Sequence, residues 1–246
     1  MQERIPSNRC AHLPLQLALA LAGLLTFGAG QSRAGLVFEI PANTKNMENL
    51  PVAASATFSF SSDSVTITIQ NLEANLTASN QLISGLQFTL SGTPTGQSFL
   101  SGSAVEMNLS PPNFTLLNSG NPVATTRWHL ASSTELTALG GGQPSQLIIG
   151  PPNGSNQYTN ANGGANNFDP NLFESATFTL TYTGGVTSAT TVSDVKFEFG
   201  TNPSSDGIIT GVPVMSTVPE PSSLTCAATG ILMLAGYTWR RRRVAA

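Results

Sequence analysis

The run Ser175-Ala176-Thr177-Phe178-Thr179-Leu180-Thr181-Tyr182-Thr183 alternates strictly between apolar and hydroxyl-bearing side chains. Successive side chains of an extended strand point to opposite faces. Such a run therefore buries Ala176, Phe178, Leu180 and Tyr182 on one side and shows a ladder of threonines to water on the other. A chain built on this pattern is constrained to half-buried sheet.

The same period recurs. Ala56–Phe60 and Val65–Ile69 alternate around Ser61-Ser62-Asp63-Ser64, which reads as a hairpin turn, and Val195–Phe199 alternates again after a turn at Gly184-Gly185. Shorter strand candidates are Leu36–Ile40, Gly85–Leu90, Ala104–Leu109, Phe114–Leu117, Thr126–Ala131 and Gln146–Gly150. A helical spacing is present only weakly, over Ser132–Leu139. About ten short strands between Gly, Pro, Asn and Ser turns predict an all-β fold, an antiparallel β-sandwich of jelly-roll or Ig-like type, with a closed barrel as the lesser alternative. An outer-membrane barrel is excluded: the strands are mostly shorter than the roughly 9–11 residues it needs, and the threonine faces would meet lipid.

The two ends follow other rules. Residues 1–34 have the layout of a secretory signal peptide: Arg4 and Arg9, an apolar run from Leu13 to Phe27, and Ser32-Arg33-Ala34 before Gly35. Cleavage is expected between Ala34 and Gly35, by signal peptidase after passage through the Sec machinery. At the other end, Ser222 to Trp239 carries no charge. As a helix, its roughly 18 residues rise about 27 Å, close to the hydrocarbon thickness of a bilayer. Arg240, Arg241, Arg242 and Arg243 follow. Clustered arginines stay on the cytoplasmic side and orient the segment, which places residues 35–201 outside. By geometry alone this C-terminal transmembrane helix fits a permanent single-pass anchor as well as a transient one.

Pro219-Glu220-Pro221, the weakly apolar segment with Ala227, Ala228, Gly230, Ala235 and Gly236, and the arginine cluster together closely resemble the PEP-CTERM sorting signal of bacterial exported proteins. The resemblance implies that a membrane-embedded exosortase recognises Pro219, Glu220 and Pro221 and frees the protein from the helix. It further implies that 222–239 is a transient anchor and Arg240–Arg243 its stop signal, and that the product belongs to the cell surface or extracellular matrix, in contact with exopolysaccharide. A looser likeness, over Asn167–Phe173, the Thr/Phe strand after it, Val192–Val195 and Phe197–Thr201, looks like the end of an ectodomain type found among PEP-CTERM proteins, and implies a β fold. The chain then divides into signal peptide 1–34, ectodomain 35–201, flexible linker 202–218 and sorting signal 219–246.

Loss of both ends removes Cys10 and Cys226, so the exported domain has no disulfide and no thiolate metal site. About 165 residues suffice for a core that buries close to 70% of the unfolded surface without such staples. Charge is sparse, 9% of residues overall, and Lys45, Arg127 and Lys196 are the only basic residues of the domain. Phosphate backbones are bound by clusters of Lys and Arg, so nucleic acid is excluded as a partner.

Candidate chemistry is thin. Arg127, Trp128 and His129 offer a candidate ligand face, a polar pair beside an aromatic; the competing reading makes Trp128 a core anchor with solvated neighbours. One histidine cannot build the usual multi-histidine zinc site. Asn166, Asn167, Asp169 and Asn171, in the long loop from Gly150, suit either a calcium site or tight turns, and the turn reading is preferred because carboxylates are few. No Gly-x-Ser-x-Gly elbow occurs, and no pair among Glu106, Glu135, Asp169 and Glu174 is singled out by spacing. The expectation is a non-catalytic domain with no cofactor and no metal; a carbohydrate-binding module is the alternative, a secreted hydrolase the third reading.

Overall fold

The computed structural model describes residues 35–214 except Gly141, Asn162 and Gly163. The signal peptide, the Pro219-Glu220-Pro221 motif, the apolar segment and the arginine cluster lie outside the described residues. Among the described residues no helix is long and apolar enough to cross a membrane.

The strands are β1 (Leu36–Glu39), β2 (Ala54–Ser61), β3 (Ser64–Asn71), β4 (Ile83–Leu90), β5 (Ser98–Ser110), β6 (Asn113–Leu116) and β7 (Val123–Ala124). They continue with β8 (His129–Ser132), β9 (Glu135–Thr137), β10 (Ile148–Ile149), β11 (Asn171–Thr181), β12 (Val192–Phe199), β13 (Ile208–Thr210) and β14 (Val212–Val214). The all-β prediction holds, and the alternation explains it. In the β2–β3 hairpin Ser61 pairs with Ser64, and Asp63 takes a positive φ of 59°, which Asp tolerates better than most residues. The register then lines Phe58, Ile67 and Phe178 into one buried row across β2, β3 and β11. The neighbouring row is Thr57, Thr68 and Thr177, where the Thr68 and Thr177 hydroxyls meet at 3.0 Å. Cross-strand pairs of this kind are the units that stabilise sheet.

Among the described residues all fourteen strands belong to one hydrogen-bonded sheet rather than two separate ones, with the main order β13-β12-β4-β10-β11-β3-β2-β1-β14. Its two ends are successive pieces of one segment. β13 pairs with β12 and β14 with β1, and only Gly211 separates them. A Cβ at Gly211 would fall 2.9 Å from the Phe197 ring, so glycine lets the chain cross that ring as it changes partner. The sheet thus closes on itself. Phe58 of β2 reaches across the interior to Phe88 of β4, ring centroids 5.5 Å apart and edge-on, and Phe38 of β1 packs on Phe58 at 5.9 Å. Each such fully buried side chain stabilises by roughly 1.5–3 kcal/mol. One pair departs from the antiparallel expectation: β10 runs parallel to β11, with Ile148 opposite Leu172. The buried Asn71 donates to the carbonyls of Ile148 and Gln81 at 2.9 Å each, tying the end of β3 to β10.

Three expectations are corrected. Ser132–Leu139 is not helical: it completes β8 and forms β9, whose Leu136 pairs with Leu86 of β4 in the core. Thr126–Trp128 is not strand; β8 begins at His129. The linker expected over 202–218 instead contributes a helical turn at Pro203–Asp206 and then β13 and β14, so the folded unit extends to at least Val214. Its Pro, Gly and Ser content suggested a tether, but Ile208-Ile209 and Val212-Pro213-Val214 are good edge strand, where a proline's missing N–H costs no ladder bond.

Candidate functional site

Gln146 organises the segment that was expected to present Arg127, Trp128 and His129. Its Oε1 accepts from the backbone N–H groups of Thr126 and Arg127, both at 2.9 Å, and its carbonyl accepts from Trp128 Nε1 at 2.8 Å. Trp128 is thereby turned inward, 2% exposed, with its indole 4.6 Å from the Phe178 ring. It is a core anchor, and its face is closed to a ligand. Arg127 is half-buried and donates to the Gln143 carbonyl at 2.8 Å. His129 is exposed, its Nδ1 donating to the Arg127 carbonyl at 3.0 Å. The three residues do not form one polar and aromatic face.

Asp169 and Asn171 are committed to the fold. One Asp169 oxygen accepts from the Leu109 backbone at 2.9 Å and the other from Asn171 Nδ2 at 2.8 Å. Asn171 also donates to the Ala165 carbonyl at 3.2 Å, pinning the turn at Ala165–Phe168 to the start of β11. Burial raises the Asp169 carboxyl above its ordinary range against those two hydrogen bonds, which lower it. Asn166 and Asn167 face solvent. Among the described residues no cluster of His, Cys, Asp and Glu could hold a metal ion.

The carboxylates that do approach one another lie on the outer face of β12, β4 and β9, where Glu198 sits opposite Gly85 and Gln87 opposite Glu135. Glu198 is 3% exposed although its strand neighbours Phe197 and Phe199 point the other way into the core. Its Oε2 occupies the space a Cβ on Gly85 would need, and its Oε1 accepts from Gln87 Nε2 at 2.6 Å. Desolvation raises its carboxyl first, the Gln87 hydrogen bond opposes this, and the charge of Glu135 adds to the rise. Glu106 is likewise occupied, accepting from Gln146 Nε2 at 2.6 Å.

One feature was invisible to sequence reasoning. Between β6, the loop at Asn156 and β11 lies an open groove of about 500 Å³ lined by Asn113, Phe114, Leu116, Asn156 and Phe173. The Phe114 and Phe173 rings stack at 5.5 Å and 19°, and Tyr158 packs edge-on to Phe114 at 5.4 Å. Tyr158 is itself locked, its hydroxyl donating to the Gly150 carbonyl at 2.7 Å. Burial and the nearby Glu174 raise its phenol. A bulge places Phe173 here: the β11–β5 register breaks between Leu172 and Ala176, and Glu174 takes a φ of 61°. Bulges re-aim side chains in this way. A second cleft of about 180 Å³, with Ser103, Pro122, Ser175 and Thr177 among its walls, shares Phe173.

The ends of the folded unit also meet. Val37 pairs with Val214 and Glu39 with Val212, so the chain enters and leaves the domain at one edge. Gly35 lies against β2, where a Cβ would fall 2.8 Å from the Thr57 methyl. Just past that exit, residues 217–243 match a family model, the PEP-CTERM protein-sorting motif. The chain carries a PEP-CTERM sorting motif. No curated protein and no solved structure matches the chain. The PEP-CTERM match takes in Pro219, Glu220, Pro221 and Arg240–Arg243 and is consistent with an exosortase substrate. It implies export, and a C-terminal membrane anchor before processing. It does not extend into the β domain of residues 35–214.

Proposed function

We propose that this chain is a surface or extracellular-matrix protein, exported through the Sec machinery, trimmed by signal peptidase between Ala34 and Gly35, and released from segment 222–239 by an exosortase acting at Pro219-Glu220-Pro221. Its β domain works without catalysis in the envelope or exopolysaccharide layer. The observation that carries this reading is the PEP-CTERM motif at residues 217–243, beginning three residues beyond the last strand. The small residues of Ser32-Arg33-Ala34 before Gly35, after the apolar run, support the N-terminal cut. The Phe58–Phe88 contact across the closed sheet supports a flattened, two-layered shape of the jelly-roll or Ig-like kind.

A carbohydrate-binding module is the second reading, and the aromatic groove favours it in place of Trp128. A hydrolase is the weakest, because Asp169 gives both carboxyl oxygens, and Glu198 and Glu106 one each, to hydrogen bonds within the fold. Replacing Pro219-Glu220-Pro221 by three alanines tests the sorting step. The expected result is full-length protein, less its signal peptide, trapped in the inner membrane; release at the normal rate and length would refute recognition of the tripeptide.

A further inference from the structure

The geometry points to the groove around Phe114 and Phe173 as a binding site for a neutral polysaccharide chain, an inference that rests on the surface-layer reading above and names its ligand class. The stacked, half-buried Phe114 and Phe173 rings line the groove and give it an aromatic wall suited to the C–H groups of a sugar ring, as aromatic side chains supply large, rigid contact area. Asn113 and Asn156 flank that wall. Among the described residues neither carboxamide has a hydrogen-bond partner in the protein, so each offers two donors and an acceptor to a ligand. Vicinal sugar hydroxyls, which both donate and accept, match that set. Phe173 lines the second cleft as well, so its side chain borders both, and the second supplies the hydroxyls of Ser103, Ser175 and Thr177. Amides, an aromatic platform and hydroxyls in sequence suit several linked sugars better than one.

Charge narrows the class. None of the residues lining either cleft is charged. Glu174, adjacent to Phe173, acts on the Tyr158 phenol as a negative charge. A uronic-acid or sulfated polymer would find no counter-charge and would be repelled.

The test is affinity electrophoresis of the processed protein, purified from its own cells, in gels containing laminarin, xyloglucan or mannan, with alginate as the anionic polymer. Retardation by at least one neutral polymer is expected. The Asn113→Ala/Asn156→Ala double variant should lose affinity at least tenfold and Phe173→Ala should abolish retardation. Thr115→Ala, on β6 but outside the lining, should behave as the parent. Unchanged thermal melts in the asparagine variant separate lost binding from lost fold, and that variant decides the matter if Phe173→Ala fails to fold. Retardation undiminished in the double variant would overturn the site, as would retardation by alginate alone. So would none by any polymer; the sorting reading would then still stand or fall on the mass of the processed chain.

Discussion

Replacing Glu198 by glutamine should stabilise the β domain at neutral pH and do little in acid. The carboxyl is 3% exposed, one oxygen accepts from Gln87 at 2.6 Å, and no cation pairs with it among the described residues. Burial raises it above the ordinary glutamate value of 4.5. Between that value and the raised folded one, the native state keeps a proton that the unfolded chain has released, so stability falls as pH rises through the window and then levels off. Glutamine keeps the shape and the acceptor for Gln87 while removing the charge. The stabilisation expected at pH 7 is about 1–2 kcal/mol, the cost of leaving a buried polar or charged group poorly compensated. For a domain of this size that is an upward shift in Tm of roughly 2–8 °C. At pH 4, where the carboxyl is mostly protonated in both states, the difference should fall to a small fraction of that. Urea unfolding at the two pH values measures it. A loss of more than about 1 kcal/mol at pH 7, or the same change at both, would refute the reasoning and make Glu198 an ordinary hydrogen-bonding residue.

Gly150→Ala should cost about 3–5 kcal/mol, read from the urea midpoint, because its Cβ would overlap the Glu73 carbonyl oxygen and lie 2.8 Å from the carbonyl carbon, which is backbone and cannot swing away. A loss under about 1 kcal/mol would mean that this crossing is loosely held. A chain ending at Thr201 should self-associate on size exclusion, since removing β13 and β14 bares the edges of β12 and β1, whereas one ending at Thr217 should stay monodisperse. Equal behaviour of the two would show that the closing strands add nothing.

The strands that were legible in the sequence are those whose period decides their faces. β2, β3 and the part of β11 from Ser175 onward alternate without interruption, and their buried rows fall where the alternation puts them. β9 was obscured because Leu136, Ala138 and Leu139 satisfy both a helical and an extended spacing, and only the partner β4 decides between them. β13 and β14 hid inside a Pro- and Gly-rich stretch whose edge-strand character depends on β1 and β12 being there to pair. Burial of Glu198 could not be read from β12 alone, because it follows from the missing side chain of Gly85 on another strand. The groove is harder still: Phe114 and Phe173 meet only through β5, β6 and a bulge, and nothing local marks either ring as half-buried rather than core. The tail is the reverse case. Its signal is a local order of motif, apolar segment and arginines, needs no tertiary partner, and was readable outright.

The central claim is tested most directly by the intact mass and membrane fractionation of the protein from its own cells. Two-ended processing requires a released species that begins at Gly35 and ends near Pro219-Glu220-Pro221. A species that keeps Arg240–Arg243 and remains in the inner membrane would contradict it, and would make the C-terminal segment a permanent anchor.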